Sequence, residues 1–265
     1  MIRPTRIGSS TRSSSNNQQP ITTTTPTIPN LTQFSVVVTG ASRGIGLAIA
    51  RALSSAGAKV LCLARASSRL DEAVASLGYS ATAVPCNLSR PSEIDGAVDA
   101  ITEACHGPPD ALVQAAGVFP LAPVGETPPS ELQDTIQVNL LGPYRLAHPL
   151  LLAMRRRRSG HVVTIGSVAD RMSLPGNVAY GASKFAVRAM HEVMREEFRG
   201  SGVRMSLISP GPVDTTIWDA IDPDTRPGFT PRAMMLRPEA VADAVLFVLT
   251  RNEDVNIDEL RLSRS

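Results

Sequence analysis

Lysine is almost missing from this chain. Of 26 basic residues only Lys59 and Lys184 are lysine, and arginine supplies the rest. Aromatic residues make up 4%, so the core has to be built from Ala, Val, Leu and Ile. Cysteine is scarce and odd in number: Cys62, Cys86 and Cys105, without paired spacing, read as free thiols of a reducing compartment, not as a disulfide framework. There is no C-x-x-C and no close histidine cluster, so no metal site is expected. No run approaches the roughly 18 apolar residues that a membrane span needs. A formal net charge of +2 gives no argument for nucleic acid or for a membrane surface. Acidic residues are absent until Asp71.

The chain nevertheless has what a large domain needs: 265 residues, 43% of them hydrophobic. Residues 1–32 stand apart. They are rich in Ser, Thr, Asn, Gln and Pro and have few large apolar side chains, so they are expected to be a disordered extension. Their Arg3, Arg6 and Arg12, with no acid, also fit an organelle import signal; the prolines at 4, 20, 26 and 29 and the lack of an amphipathic stripe argue against it. From Phe34 onward short apolar runs alternate with helical spacing. FSVVVTG, KVLCLA, ATAVPC, ALVQAAG, HVVTIGS, VRMSLISPG and VNIDELRL read as strands. Between them lie IGLAIARALSSAG, SSRLDEAVASLG, PSEIDGAVDAITEAC, a long stretch from Ser130 through the 150s bent near Gly142-Pro143, residues 178–200, and RPEAVADAVLFVLT as helices. Strands alternating with helices of this length predict an α/β domain over 33–265, a parallel sheet with helices on both faces.

The first strand runs into TGASRGIG, where Gly40, Gly44 and Gly46 allow a tight turn and close approach of backbone to a phosphate. The following helix offers free N–H groups and its positive dipole end to a pyrophosphate. On a strand–turn–helix at the start of a doubly wound pattern, this predicts nucleotide binding. The end of the second strand tells which nucleotide. NAD enzymes place Asp or Glu there for the ribose hydroxyls, which a 2′-phosphate would meet as repulsion. Here the segment reads LCLARASSR: the carboxylate is missing and Arg65 follows Ala64, with Arg43 in the glycine loop in reach of the same phosphate. Both features favour NADP(H).

The rare Lys184 stands four residues after Tyr180 in NVAYGASKFAV, on one face of a helix. A phenol titrates near 10 and is a poor acid–base catalyst at neutral pH, and a nearby ammonium favours its anion. Ser167 ends the fifth strand, at the carboxyl edge of the sheet where ligands of such folds bind, and Asn139 lies in the preceding long helix. TGASRGIG, NLLG, Ser167 and YGASK, in this order and spacing, resemble the short-chain dehydrogenase/reductase family over residues 34–262. The resemblance implies a single Rossmann-type domain with seven strands in the order 3-2-1-4-5-6-7. It also implies catalytic roles for Asn139, Ser167, Tyr180 and Lys184. Tyr180 would be the general acid for carbonyl reduction. Lys184 would lower its pKa and bond the nicotinamide ribose. Ser167 would hydrogen-bond the substrate carbonyl, and Asn139 would hold a water linking Lys184 to solvent. NADP(H) would contact Gly40, Ser42, Arg43, Gly44, Ile45, Gly46, Arg65, Asn87, Leu88, Ala116, Gly117, Asn139, Tyr180 and Lys184. In PGPVDT it would also contact Pro210, Gly211, Val213 and Thr215. Arginine at 184 would be bulkier, with another donor geometry.

Three departures qualify the resemblance. Asn87 stands where the family has Asp near the adenine, and its amide oxygen is expected to accept from the adenine amino group. QAAG, Gln114–Gly117, replaces N-N-A-G, and Ala115 cannot make the side-chain bonds that order the loop. The ending EDVNIDELRLSRS looks more like the subgroup acting on small hydroxy acids and assorted aldehydes or ketones than like the 3-oxoacyl-carrier-protein reductases. Specificity is expected in 118–129, 169–177 and 216–236, the last holding the chain's single Trp and reading as a mobile lid. RRRR, Arg155–Arg158, lies near where carrier-protein reductases present a basic residue to an acidic partner, and equally fits a solvated helix end. The expected protein is therefore a cytoplasmic NADPH-dependent carbonyl reductase or the reverse alcohol dehydrogenase. A small carbonyl or hydroxy compound is its substrate, and it forms a homo-oligomer, dimer or tetramer. The alternatives are a 3-oxoacyl reductase partnered by acyl carrier protein and a non-catalytic NADPH-binding regulator.

Overall fold

The computed structural model describes residues 30–265. Residues 1–29 of the expected extension lie outside the described residues. The remaining three join the fold. Leu31 is buried, and its N–H donates to the Ala56 carbonyl at 2.7 Å. The boundary expected at 32 therefore falls earlier, because one large aliphatic side chain there finds a place in the core.

The apolar runs form strands covered on both faces. In β1, Ser35–Thr39, Val36 and Val38 pack in one core and Val37 in the other, as a period of two requires. The other strands are β2 (Lys59–Ala64), β3 (Ala81–Pro85), β4 (Ala111–Gln114), β5 (Gly160–Ile165), β6 (Val203–Pro210) and β7 (Glu259–Leu262). All pair in parallel in the order β3-β2-β1-β4-β5-β6-β7. Helices α1 (Gly44–Ser55), α2 (Ser68–Leu77), α3 (Pro91–Cys105), α4 (Pro129–Ile136), α5 (Gly142–Arg157), α6 (Val178–Glu197) and α7 (Pro238–Leu249) fill the crossovers. β1, β2, β4 and β5 feed both cores, one of them covered by α1 and α7 and the other by α3 and α5. Among the described residues, no helix is long and apolar enough to cross a membrane.

Two local departures from the sequence pattern have visible causes. The helix expected from Ser130 is divided by a π-helical turn, Gln137–Leu141, closed by the Gly142 N–H on the Gln137 carbonyl. Pro143 has no N–H to give the Asn139 carbonyl in an α pattern, and the chain widens there. Gly142 permits the close passage, since a Cβ on it would lie 2.1 Å from the Leu88 carbonyl oxygen. The last strand starts at Glu259 instead of near Val255. Ahead of it the Asn256 amide takes the ladder positions of β6, accepting from Met205 N–H at 2.9 Å and donating to its carbonyl at 3.0 Å.

Candidate active site

The carboxyl ends of β1, β4, β5 and β6 open toward one edge of the sheet, and the expected site residues collect there. At the end of β1, Gly40 turns with φ +72°, and its N–H bonds the Leu63 carbonyl at 2.8 Å. A Cβ on Gly46 would come within 2.3 Å of the Gly40 carbonyl oxygen, so only glycine lets α1 start this close to the turn. Ser42, Arg43, Gly44 and Ile45 form the passage between them. The side chain of Arg43, at the N-cap, bonds no backbone N–H of α1, and the first turn holds no acid. That end of the helix is left free for an anion. Arg43 and Arg65 are exposed and, among the described residues, take part in no ion pair. Thr215, in the loop after β6, meets Gly44, whose added Cβ would lie 3.3 Å from the threonine side chain. Pro210, Gly211 and Val213 lie along the same β6 exit; the Gly211 N–H bonds Leu262 at 2.8 Å. Glycines at the turn, an uncapped helix end and two free arginines fit a phosphorylated dinucleotide.

Asn87, at the exit of β3, differs from expectation. Its Oδ1 already accepts from Ser89, at 3.0 Å from the backbone N–H and 2.9 Å from the hydroxyl. Leu88 beside it is buried. The Ala115 loop is ordered after all, by other partners. Thr39 Oγ1 accepts the N–H groups of both Ala115 and Ala116 at 3.0 Å. Buried Gln114 donates to the Pro143 carbonyl at 2.9 Å and accepts from Thr164 at 3.3 Å. The longer amide of Gln114 thus ties β4 to β5 and to the start of α5.

Asn139 protrudes from the π-helical turn and is buried. Its Oδ1 accepts from Val118 N–H at 2.8 Å, and its Nδ2 donates to the Val118 carbonyl and to Ser183 Oγ, both at 3.0 Å. Both side-chain donors are used, so Asn139 clips the loop after Gly117 to α6. Ser183, which the sequence reading did not single out, completes the clip by donating to the Tyr180 carbonyl at 2.7 Å.

Tyr180 and Lys184 lie one turn apart on α6, with the lysine Nζ 5.7 Å from the tyrosine ring centre. Lys184 is 8% exposed and donates to the Ile165 carbonyl at 3.0 Å. Burial brings its ammonium down to about 8, against an upward pull from Asp170. Beside it a cavity of about 10 Å³, bounded by Gln114, Asn139, Thr164 and Lys184, has room for about one water. Burial pushes the Tyr180 phenol up; the Ser167 hydroxyl pulls it down and Asp170 pushes it further up. The net direction is upward in this arrangement, in which the Lys184 ammonium bonds the Ile165 carbonyl.

Ser167 accepts from Ala169 N–H at 3.2 Å and its own N–H meets Asp170 Oδ2 at 3.4 Å, a capping box over residues 167–170. Asp170 is a second residue that sequence reasoning missed. It is fully buried, accepts from Ser209 Oγ at 2.6 Å and pairs with Arg171 Nε at 2.7 Å. Arg171 and Arg188 in turn both reach Glu259 of β7. Gly166 makes the room: a Cβ there would lie 2.8 Å from the Asp170 carboxylate. The S-x-x-D spacing was the available signal. Burial would raise this carboxyl, but the bonds from Arg171 and Ser209 outweigh it and hold it below the usual range.

The expected lid is latched. Arg232 bonds Asp214 at 2.8 Å, Asp219 at 2.7 Å and the Thr215 carbonyl at 3.1 Å, and Arg264 bonds the carbonyls of Ala233 and Met235. A separate groove of about 400 Å³, between Val124, residues 172–178 and Phe185, touches none of Asn139, Ser167, Tyr180 and Lys184.

Comparison with known proteins agrees with the fold. A family model described as short chain dehydrogenase matches residues 35–226. An oxidoreductase of Staphylococcus epidermidis is 31% identical over 226 residues, covering 85% of this chain and 95% of that protein. The ketoacyl reductase HetN of Nostoc is 35% identical over 219 residues, 82% of this chain and 75% of its own. The crystal structure of a metagenomic short-chain oxidoreductase in complex with NADP superposes with a TM-score of 0.76 at 31% identity, covering 89% of this chain and 98% of the other. With its sheet order, glycine turn and Tyr–Lys helix, the chain belongs to the short-chain dehydrogenase/reductase family of oxidoreductases.

Proposed function

We propose that the protein is an NADPH-dependent oxidoreductase that reduces a carbonyl compound or, in reverse, oxidises a secondary alcohol. The observation that carries this reading is the meeting of Tyr180, Lys184 and Ser167 at the sheet edge that also holds the uncapped N-terminus of α1. When bound, NADPH supplies the hydride. Gly40, Gly46 and the first turn of α1 would hold its pyrophosphate, Arg43 and Arg65 its 2′-phosphate, and Lys184 its nicotinamide ribose. Ser167 Oγ orients the carbonyl oxygen of the substrate, and the Tyr180 hydroxyl gives that oxygen its proton. A phenol held above its ordinary pKa is fully protonated at neutral pH, which suits a donor. The tyrosinate left behind is stabilised by Lys184, and the small cavity beside Lys184 can house a water that returns the proton. Asn139 keeps the loop and α6 in register for this transfer.

The carrier-protein reading is less well supported. Arg157 spends its guanidinium on the carbonyls of Pro108, Pro109 and Ser159, and Arg155 lies over the Phe198 ring. Free thiols at Cys62, Cys86 and Cys105 suit the cytoplasm. The exposed apolar residues Leu141, Tyr144 and Leu152 of the α5 side and Val178, Phe185 and Val193 of α6 support a homo-oligomer.

The test is affinity for NADPH against NADH, followed by NADPH oxidation with a set of ketones. Charge-assisted bonds to the 2′-phosphate should favour NADPH by about 10- to 100-fold, and replacing Arg43 and Arg65 together by Ala should erase the difference. Equal affinities in the unmodified protein would overturn the cofactor assignment. Absence of turnover with every carbonyl, despite NADPH binding, would favour the regulator.

A further inference from the structure

We propose that Phe119, Trp218 and Phe229 form the substrate-selecting wall of the site and fit an aryl or similarly bulky apolar ketone, not a small oxo acid. This rests on the carbonyl-reductase reading above and names its substrate class. The three rings come from separated segments and line up from Tyr180 outward. The Phe119 ring meets Tyr180 edge-on at 4.6 Å between centres. Trp218 meets Phe119 at 5.1 Å and Phe229 meets Trp218 at 6.4 Å, both edge-on.

The rings are held from behind. Phe119 follows Val118, whose N–H and carbonyl are both taken by Asn139. Trp218 donates its indole N–H to the Val213 carbonyl at 2.9 Å, so its polar atom is satisfied within the protein. All three rings are only partly buried, so apolar surface remains for a ligand. In a chain with 4% aromatic residues, three rings in contact beside the proton donor mark a specialised surface.

The charges argue in the same direction. A small oxo acid carries its carboxylate within one or two carbons of the carbonyl, so it needs a free cation beside Tyr180. Arg232 is engaged by Asp214 and Asp219, and Arg171 by Asp170 and Glu259. Arg226 lies over Phe229, at the outer end of the row. Lys184 is buried and donates to the Ile165 carbonyl, and the buried carboxylate of Asp170, which also acts on Tyr180, opposes an anion. An apolar ring on the substrate, in contrast, gains edge contacts with Phe119 and Trp218.

The experiment compares kcat/KM with NADPH for acetophenone, 2-butanone and pyruvate. The expected order puts acetophenone at least about tenfold above butanone and pyruvate last. Trp218→Ala should cut the ratio of acetophenone to butanone by about tenfold, and Trp218→Phe, which keeps an edge contact, should restore most of it. Thermal unfolding of both variants shows whether they fold; if the alanine one does not, Trp218→Leu, which keeps apolar bulk but loses the ring, takes its place and should lower the ratio in the same direction. Because Trp218 is the single tryptophan, its fluorescence also reports acetophenone binding to the NADP⁺ complex without turnover. If carbonyls are reduced but pyruvate or butanone leads, or Trp218→Ala (or Trp218→Leu in its place) leaves the ratio unchanged, the wall is refuted while the reductase reading stands. If no carbonyl is reduced, the reductase reading falls and takes the wall with it.

Discussion

Replacing Asp170 by Asn keeps the shape and removes one buried charge. The amide can still accept from Ser209 and from the Ser167 N–H, but Arg171 loses its 2.7 Å partner and Arg188 a carboxylate at 3.7 Å. Breaking a buried pair costs about 3–5 kcal/mol when the remaining charge is stranded. Here the cost is smaller, because Glu259 still faces both arginines and their side chains are 22% and 25% exposed. We expect about 2–3 kcal/mol, a fall of about 4–12 °C in Tm for a domain of this size. The sign with pH follows from the depressed carboxyl. Its contribution is fully present above the ordinary carboxylate range and is lost as pH falls through the folded pKa, so the gap between the two proteins should close in acid. Activity should respond as well: Asp170 raises both Tyr180 and Lys184, so its removal should move the alkaline limb of the reduction profile to lower pH. The assays are thermal unfolding by circular dichroism from pH 8 to pH 4 and steady-state rates over the alkaline range. A Tm within about 1 °C of the unmodified protein at neutral pH would refute the energetic reasoning. An unmoved alkaline limb would refute the electrostatic part.

The buried histidines make a second test. Burial, aided by nearby charge, depresses His161 to about 3 and His191 to about 4. Unfolded histidines bind protons below about 6.5, so each should remove about 1.4 kcal/mol of stability per pH unit as pH falls from there toward the folded value. Urea midpoints at pH 7, 6 and 5 should fall accordingly, and less steeply in His191→Gln. Truncation makes a third. Removing residues 1–29 should leave Tm nearly unchanged, while removing three more takes away buried Leu31 and its bond to Ala56 and should cost about 2 kcal/mol. Equal Tm values for the two truncations would contradict the place given to Leu31.

What was legible in the sequence was local. Apolar runs over β1 and β2 and the spacing of α1 and α6 marked their elements, because strands buried on both faces and amphipathic helices leave periodic patterns. Gly40, Gly46, Tyr180 and Lys184 were visible for the same reason: each sits at a fixed offset within one element. The sheet order was not contained in any one segment and came through the family resemblance. What escaped was non-local. Asp170 looked like a loop residue, since its partners Ser209, Arg188 and Glu259 are distant in the chain. Asn139 was visible, but its partners were not, and its clip depends on a π-helical turn that Pro143 forces. Ala115 seemed to leave its loop loose, yet Thr39 and Gln114 order it from neighbouring strands. The contact of Phe119 with Trp218 joins residues that no sequence pattern pairs.

Tyr180→Phe tests the central claim most directly, because it keeps the ring against Phe119 and removes only the hydroxyl. Turnover and NADPH affinity are measured together, by NADPH oxidation with the best ketone and by fluorescence titration. A general acid of this kind is worth about 10²–10⁴-fold in rate. The account predicts a loss of kcat of that size or larger, with the Kd for NADPH within about threefold of the unmodified protein's. Near-normal turnover by Tyr180→Phe would mean that another group donates the proton and would contradict the assignment.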